Sequence, residues 1–254
     1  MKYIAALLNV LVALSLSGQP LDPAKLASLE EKLDDVMEII DPDLVKEKLI
    51  ETEAAYQREP TDINKLRVGL VYHEVAFNLT FLDKTEEYAG YAQRSFDVLT
   101  ELAEHQKTSP ELMVFVQPYR ASALSLVSGE TRKLKLLDQA FAIFEKAVDK
   151  YADISPRPEF MRGSVAENLP WFMGKKRQYA EADFASIIRK YEQDPTYADF
   201  RIMSFSDWGW ANAHQKKKHR EQAVNYLNKA IQLDPNYQAG RQRAEALKSE
   251  LTGK

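Results

Sequence analysis

The sequence predicts an all-α fold built from antiparallel helix pairs stacked as an α-α superhelix, about eleven helices long. Three observations carry this. Ala223, Leu227, Ala230 and Pro235 follow the spacing A-x3-φ-x2-A-x4-P, which sets two small residues and one large apolar residue on one helix face and then ends the helix. The set Ala140, Phe144, Ala147 and Tyr151 recurs forty residues later as Ala180, Phe184, Ile187 and Tyr191, and DPTYADFR at Asp194 recurs as DPNYQAGR at Asp234, aligning Arg201 with Arg241. Glycine is scarce, 9 in 254 residues, and helix formers are abundant.

Residues 1–20 stand apart. Lys2, the apolar run Tyr3 to Leu16 and the small-residue exit Ser15-Leu16-Ser17-Gly18 have the layout of a secretory signal peptide cleaved after Ser17 or Gly18. The run is about 14 residues and includes Asn9, shorter than the ~20 needed to span a bilayer. The expectation is therefore a periplasmic or secreted protein with no membrane span after cleavage, one domain over 19–254, and its clearest repeats at 131–254. There is no cysteine, which excludes disulfides, thiolate metal sites, a cysteine nucleophile and a lipid-attachment cysteine. Asn78-Leu79-Thr80 is a formal glycosylation sequon, discounted because it lies in a helical pattern.

From Pro23 the pattern predicts one helix through Leu26, Leu29, Leu33, Val36, Met37 and Ile40, stopped by Asp41-Pro42. A charged helix follows from Leu44 to Arg58. Thr61 or Asp62 caps a long helix to about Leu82, and its partner runs from about Lys84 to His105 with Ala92, Phe96 and Leu99 on one face. Ser109-Pro110 opens the next helix, ending near Val127 before the turn Ser128 to Thr131. Residues 155–176, with three prolines and the cluster Trp171-Phe172-Met173, read as the least regular piece. The last helix, Tyr237 to Leu251, carries charge on its outer face, as a terminal cap should.

The run at 223–235 resembles the tetratricopeptide repeat (TPR), a helix–turn–helix unit of about 34 residues. Val68-Gly69-x2-Tyr72 is similar to the Leu-Gly-x2-Tyr signature of a first TPR helix. In the last repeat Trp210-Ala211 stands in place of Leu-Gly and His214 in place of Tyr, so that half departs from the pattern. The resemblance implies a non-catalytic scaffold or adaptor that binds a protein segment of a cell-envelope assembly in its concave groove. It implies groove positions at Phe205, Trp208, Asn212 and Lys216, where Asn212 matches an Asn that often holds a bound peptide backbone. The Lys and Arg partners of a carboxylate clamp are not reproduced. One repeat earlier the corresponding helix supplies Asn168 and Phe172 beside Trp171, with Arg162 and Arg201 as nearby charge. These seven, Arg162, Asn168, Trp171, Phe172, Arg201, Trp208 and Asn212, are the candidate ligand-binding residues. The alternative is a small-molecule binder, since some periplasmic TPR-like proteins resemble partners of solute transporters. A closed, apolar, aromatic-lined cavity would favour that alternative, and an open groove the scaffold.

No enzyme signature stands out. His73-Glu74 begins like H-E-x-x-H, but position 77 is Phe, and no nucleophile elbow, phosphate loop or dinucleotide fingerprint occurs. No cofactor or metal is implied. The acidic pairs Glu30-Glu31 and Asp34-Asp35 read as solvated faces. The basic run Lys216 to Arg220 reads as a turn, and a net charge of −4 with mixed signs gives no reason to expect a nucleic-acid partner.

Overall fold

A computed structural model describes residues 21–253. The segment read as a signal peptide lies outside the described residues. Those residues form eleven α-helices and no strand: α1 Pro23–Leu33, α2 Pro42–Arg58, α3 Asp62–Glu74, α4 Tyr91–Glu104, α5 Met113–Thr131, α6 Leu134–Tyr151, α7 Arg157–Glu167, α8 Gly174–Gln193, α9 Phe200–Ala213, α10 Arg220–Leu233 and α11 Arg241–Thr252. No helix among them is long and apolar enough to cross a membrane.

Helix starts follow local chemistry. Asp22, Asp41 and Asp199 each accept from the first-turn backbone, at 3.0 Å from the Ala24 amide, 2.9 Å from Asp43 and 2.8 Å from Arg201. An aspartate there satisfies amides that have no partner inside the helix. The two copies of the Asp-Pro connection differ. Asp194 is exposed and holds Thr196, whereas Asp234 is fully buried and accepts from the amides of Gln238, Ala239 and Arg241.

Small residues set the distances between successive helices. Ala223, Leu227 and Ala230 of α10 are buried against Ala211, Ala244 and Leu247. The ring of Phe184 on α8 lies where a Cβ on Gly209 of α9 would sit, 2.3 Å from its Cε2. Gly69 on α3 plays the same part for Leu99 on α4, at 2.8 Å. Both glycines let a large apolar side chain press on a neighbouring backbone, the contact that sequential helix pairs need to share one core.

Several boundaries differ from the sequence expectation, and most of the differences shape the centre of the molecule. The first helix stops at Leu33 rather than Ile40. A short 3₁₀ turn, Asp34–Val36, follows, and Glu38 adopts φ 51°. The long third helix changes its hydrogen-bond ladder at Val75 and runs as a π-helix to Leu82. Asn78 stands inside that change, its amide donating to the carbonyls of Ile39 at 2.8 Å and Glu74 at 3.1 Å. α4 begins only at Tyr91, after Gly90 at φ 86°. α5 continues past Val127 to Thr131 and ends on Arg132 at φ 57°, while α11 starts at Arg241 rather than Tyr237. The stretch expected to be irregular contains α7. Its prolines, Pro156 and Pro158, fall at the helix start, where a missing N–H breaks no helical bond.

The acidic residues of α1 and of the turn after it are not simply solvated. Glu30 meets Arg157, Asp34 meets Arg201, and Asp35 pairs with Arg67 at 2.7 Å and Lys48 at 2.8 Å. These cations belong to α2, α3, α7 and α9, so the pairs tie the first helices to later ones. The sequence pattern shows only that the acids are polar; tertiary contact supplies the partners.

Candidate functional site: a central apolar chamber

The departures from regular helix converge on one cavity of about 810 Å³. Ligand pockets typically span about 300–1,000 Å³. The turn at Glu38 to Ile40, the π-helical segment with Phe77 and Phe81, α5, the start of α6 at Leu134 and Leu137, α7 and the Phe172 turn all contribute. Phe205 and Trp208 of α9 and the start of α11 close the far side. Helices from both halves of the chain therefore wrap one space. Phe and Leu are the commonest lining residues, and serines, glutamates, arginines and amides are interspersed among them.

One part of the wall is polar and internally connected. His73 Nε2 lies 2.7 Å from Ser122 Oγ, and its Nδ1 lies 3.3 Å from Glu74 Oε1. Asn78 reaches the other Glu74 oxygen at 3.3 Å. The Tyr119 hydroxyl donates to Glu38 Oε1 at 2.7 Å, and Arg157 donates to the same oxygen. Glu38 Oε2 is buried without a partner. Burial pushes the Glu74 carboxyl up from its ordinary value, with the Glu38 charge adding to the effect and His73 opposing it. Among the described residues no His, Asp and Glu group is arranged to hold a metal ion.

The seven residues singled out from sequence divide. Asn168, Phe172 and Trp208 line the chamber. Trp171 adjoins it, 85% exposed, with its ring 6.1 Å from that of Phe172, itself 65% exposed. Arg162 lies elsewhere, in a two-point bond to Asp183 at 2.9 and 2.7 Å and over the ring of Tyr179 at 4.3 Å. Arg201 is held by Asp34, and Asn212 donates to Glu167 and accepts from Gln215 at 2.7 Å. These three serve contacts between helices.

Sequence reasoning passed over Glu38, Glu74, Asn78, Phe77, Phe81 and Arg243. His73-Glu74 was weighed only against a zinc motif, and Asn78 only as a sequon. The usable signal was Glu74 and Asn78 at i, i+4 in the largely apolar stretch 68–82, a pair that must be satisfied where it is buried.

Residues 211–237, the end of α9 through α10, match the family model described as tetratricopeptide repeat. The protein is a TPR-like helical-repeat chain. No curated protein and no solved structure matches it. TPR repeats generally mediate protein–protein interaction and are generally non-catalytic. In this TPR-like chain the helices also line a partly open chamber, to which the matched segment contributes no residue.

Proposed function

We propose that this TPR-like protein is an exported, non-catalytic binder that holds a small, predominantly apolar molecule in its central chamber. One observation carries the reading. The cavity of about 810 Å³ is walled largely by aromatic and aliphatic side chains drawn from the π-helical extension of α3 and from α5, α6, α7, α8 and α9. These side chains gather from several helices on one partly open cavity rather than along a single helix face. Apolar surface removed from water on both partners drives such binding.

Native mass spectrometry of the protein purified from its producing cells tests this. The expected result is a reproducible extra mass, lost on denaturation and extractable into organic solvent. A bare chain that also fails to take up a neutral apolar dye would sink the reading. The same spectrum tests the export proposal through the absence of residues 1–17 or 1–18.

A second reading, docking of a protein segment, is favoured by Trp171 and Phe172, whose rings stand exposed at the chamber's edge. Large exposed aromatics commonly anchor partners. Crosslinking with and without Trp171→Ala separates this from the chamber reading, because Trp171 does not line the cavity.

A further inference from the structure

The charges on the chamber wall are unevenly matched. Glu38 is ion-paired with Arg157, which is itself fully buried. Glu74 is wholly enclosed and bonded to His73 and Asn78, and burial favours its neutral form. Glu167 accepts from Asn212, and burial raises its carboxyl as well. Each lining acid therefore has at least one protein partner, with Glu38 Oε2 left buried and unpaired.

The lining arginines do not. Arg132 and Arg243 have neither an ion pair nor a hydrogen bond, and Arg132 is exposed at the edge. Arg243, in the first turn of α11, is half-buried. Its guanidinium lies over two rings of the wall, 5.2 Å from the centre of Trp208 and 5.7 Å from that of Phe205. Burial pulls it below its ordinary value, and the field of Glu167 opposes this without an ion pair forming. A guanidinium on aromatic faces keeps its in-plane N–H fork free, the geometry that takes a carboxylate or phosphate by two parallel bonds.

Resting on the chamber reading, we infer that the ligand is a single-chain anionic amphiphile whose head is bound by Arg243 on the Trp208–Phe205 shelf and whose chain lies along Phe77, Phe81 and Leu137. Gln242 and Asn168, both on the wall, supply further polar atoms at the head. Glu167 is the competing anion, so it weakens head binding and its removal strengthens it.

The test is displacement of a neutral naphthylamine dye from the full-length chain by four ligands of equal chain length: dodecanoate, dodecyl phosphate, dodecanol and dodecylammonium. Dodecanoate or dodecyl phosphate, and whichever is the tighter names the head chemistry, should bind about tenfold or more tightly than dodecanol, as expected for a charge-assisted pair. Arg243→Met should erase that preference, so that dodecanoate and dodecanol then bind alike, and Arg243→Lys should retain part of it. Glu167→Gln should raise dodecanoate affinity. Equal binding of all four heads, or preference for dodecylammonium, overturns the head assignment and leaves the chamber reading intact. Failure of the dye and every dodecyl ligand to bind overturns both. Circular dichroism of each variant separates lost binding from lost fold.

Discussion

Arg157 on α7 and Glu38, 119 residues earlier, form an ion pair in which the arginine is fully buried and the glutamate side chain is only 5% exposed. Glu30 and Asp199 complete the set around the same guanidinium. The pair joins the turn after α1 to the later helices and fixes the backbone that carries Glu38, Ile39 and Ile40 to the chamber. Its neighbours raise the Arg157 guanidinium well above its ordinary value despite the cost of burial, so it stays charged. Replacing Arg157 by Met leaves Glu38 buried and uncompensated. The expected loss is about 3–5 kcal/mol of unfolding free energy, measured by urea denaturation. A change within 1 kcal/mol, on the order of a surface site, would show that Arg157 does not hold the two halves together.

Gly209 and Gly129 make an opposed pair. A Cβ at Gly209 meets the Phe184 ring at 2.3 Å, so Gly209→Ala should cost about 1–3 kcal/mol through overpacking. Gly129 lies inside α5 with nothing within 4 Å of an added Cβ, so Gly129→Ala should stabilise by about 0.5–1 kcal/mol through helix propensity. Thermal melts of the two variants should move in opposite directions.

Asp207 on α9 is buried, its Oδ1 has no partner, and burial pushes its carboxyl up from 3.8 to about 7, with Lys229 opposing. Below 3.8 the folded and unfolded chains both hold the proton and no penalty arises. Between 3.8 and about 7 only the folded chain keeps it, so stability falls as pH rises, and above 7 the full cost is present. Asp183, raised to about 6, adds in the same direction. Asp207→Asn should flatten this dependence, with a gain over wild type of about 1–4 kcal/mol at pH 8 and almost none at pH 4. Equal gains at both pH values would rule out titration of Asp207 as the cause.

Ser164 lines the chamber from α7, and its hydroxyl makes no hydrogen bond. Ser164→Trp should fill part of the space and lower dye affinity about tenfold or more, as for a steric block in a hydrophobic pocket. Its melting temperature should stay close to wild type. Undiminished dye binding would place the dye elsewhere.

Much of the architecture was legible because it is local. Spacings such as Ala223-Leu227-Ala230, the Asp-Pro stops at Asp194 and Asp234 and the forty-residue recurrence depend on 3.6-residue periodicity and on capping, which neighbouring residues determine. α7 was harder to see because its prolines look like breakers until they are placed at a helix start. Trp208 was legible as a residue on the inward face of a repeat helix, and it lines the chamber. The partners of Arg162 and Arg201, Asp183 and Asp34, were not legible, because which acid meets an arginine depends on the tertiary fold.

The sequence by itself determined an all-helical repeat chain, the cap at Thr61, and the small residues at its helix contacts. It also determined what chemistry the missing cysteines exclude. Only the tertiary structure decided that the helices enclose a chamber, that Glu38 and the π-helical turn at Asn78 face it, and that Arg243 is left there without an acid. The reason is physical. Periodicity and capping act over a few residues, while a cavity and a charge balance are sums over side chains brought together from more than a hundred positions apart, such as Glu38 and Arg157.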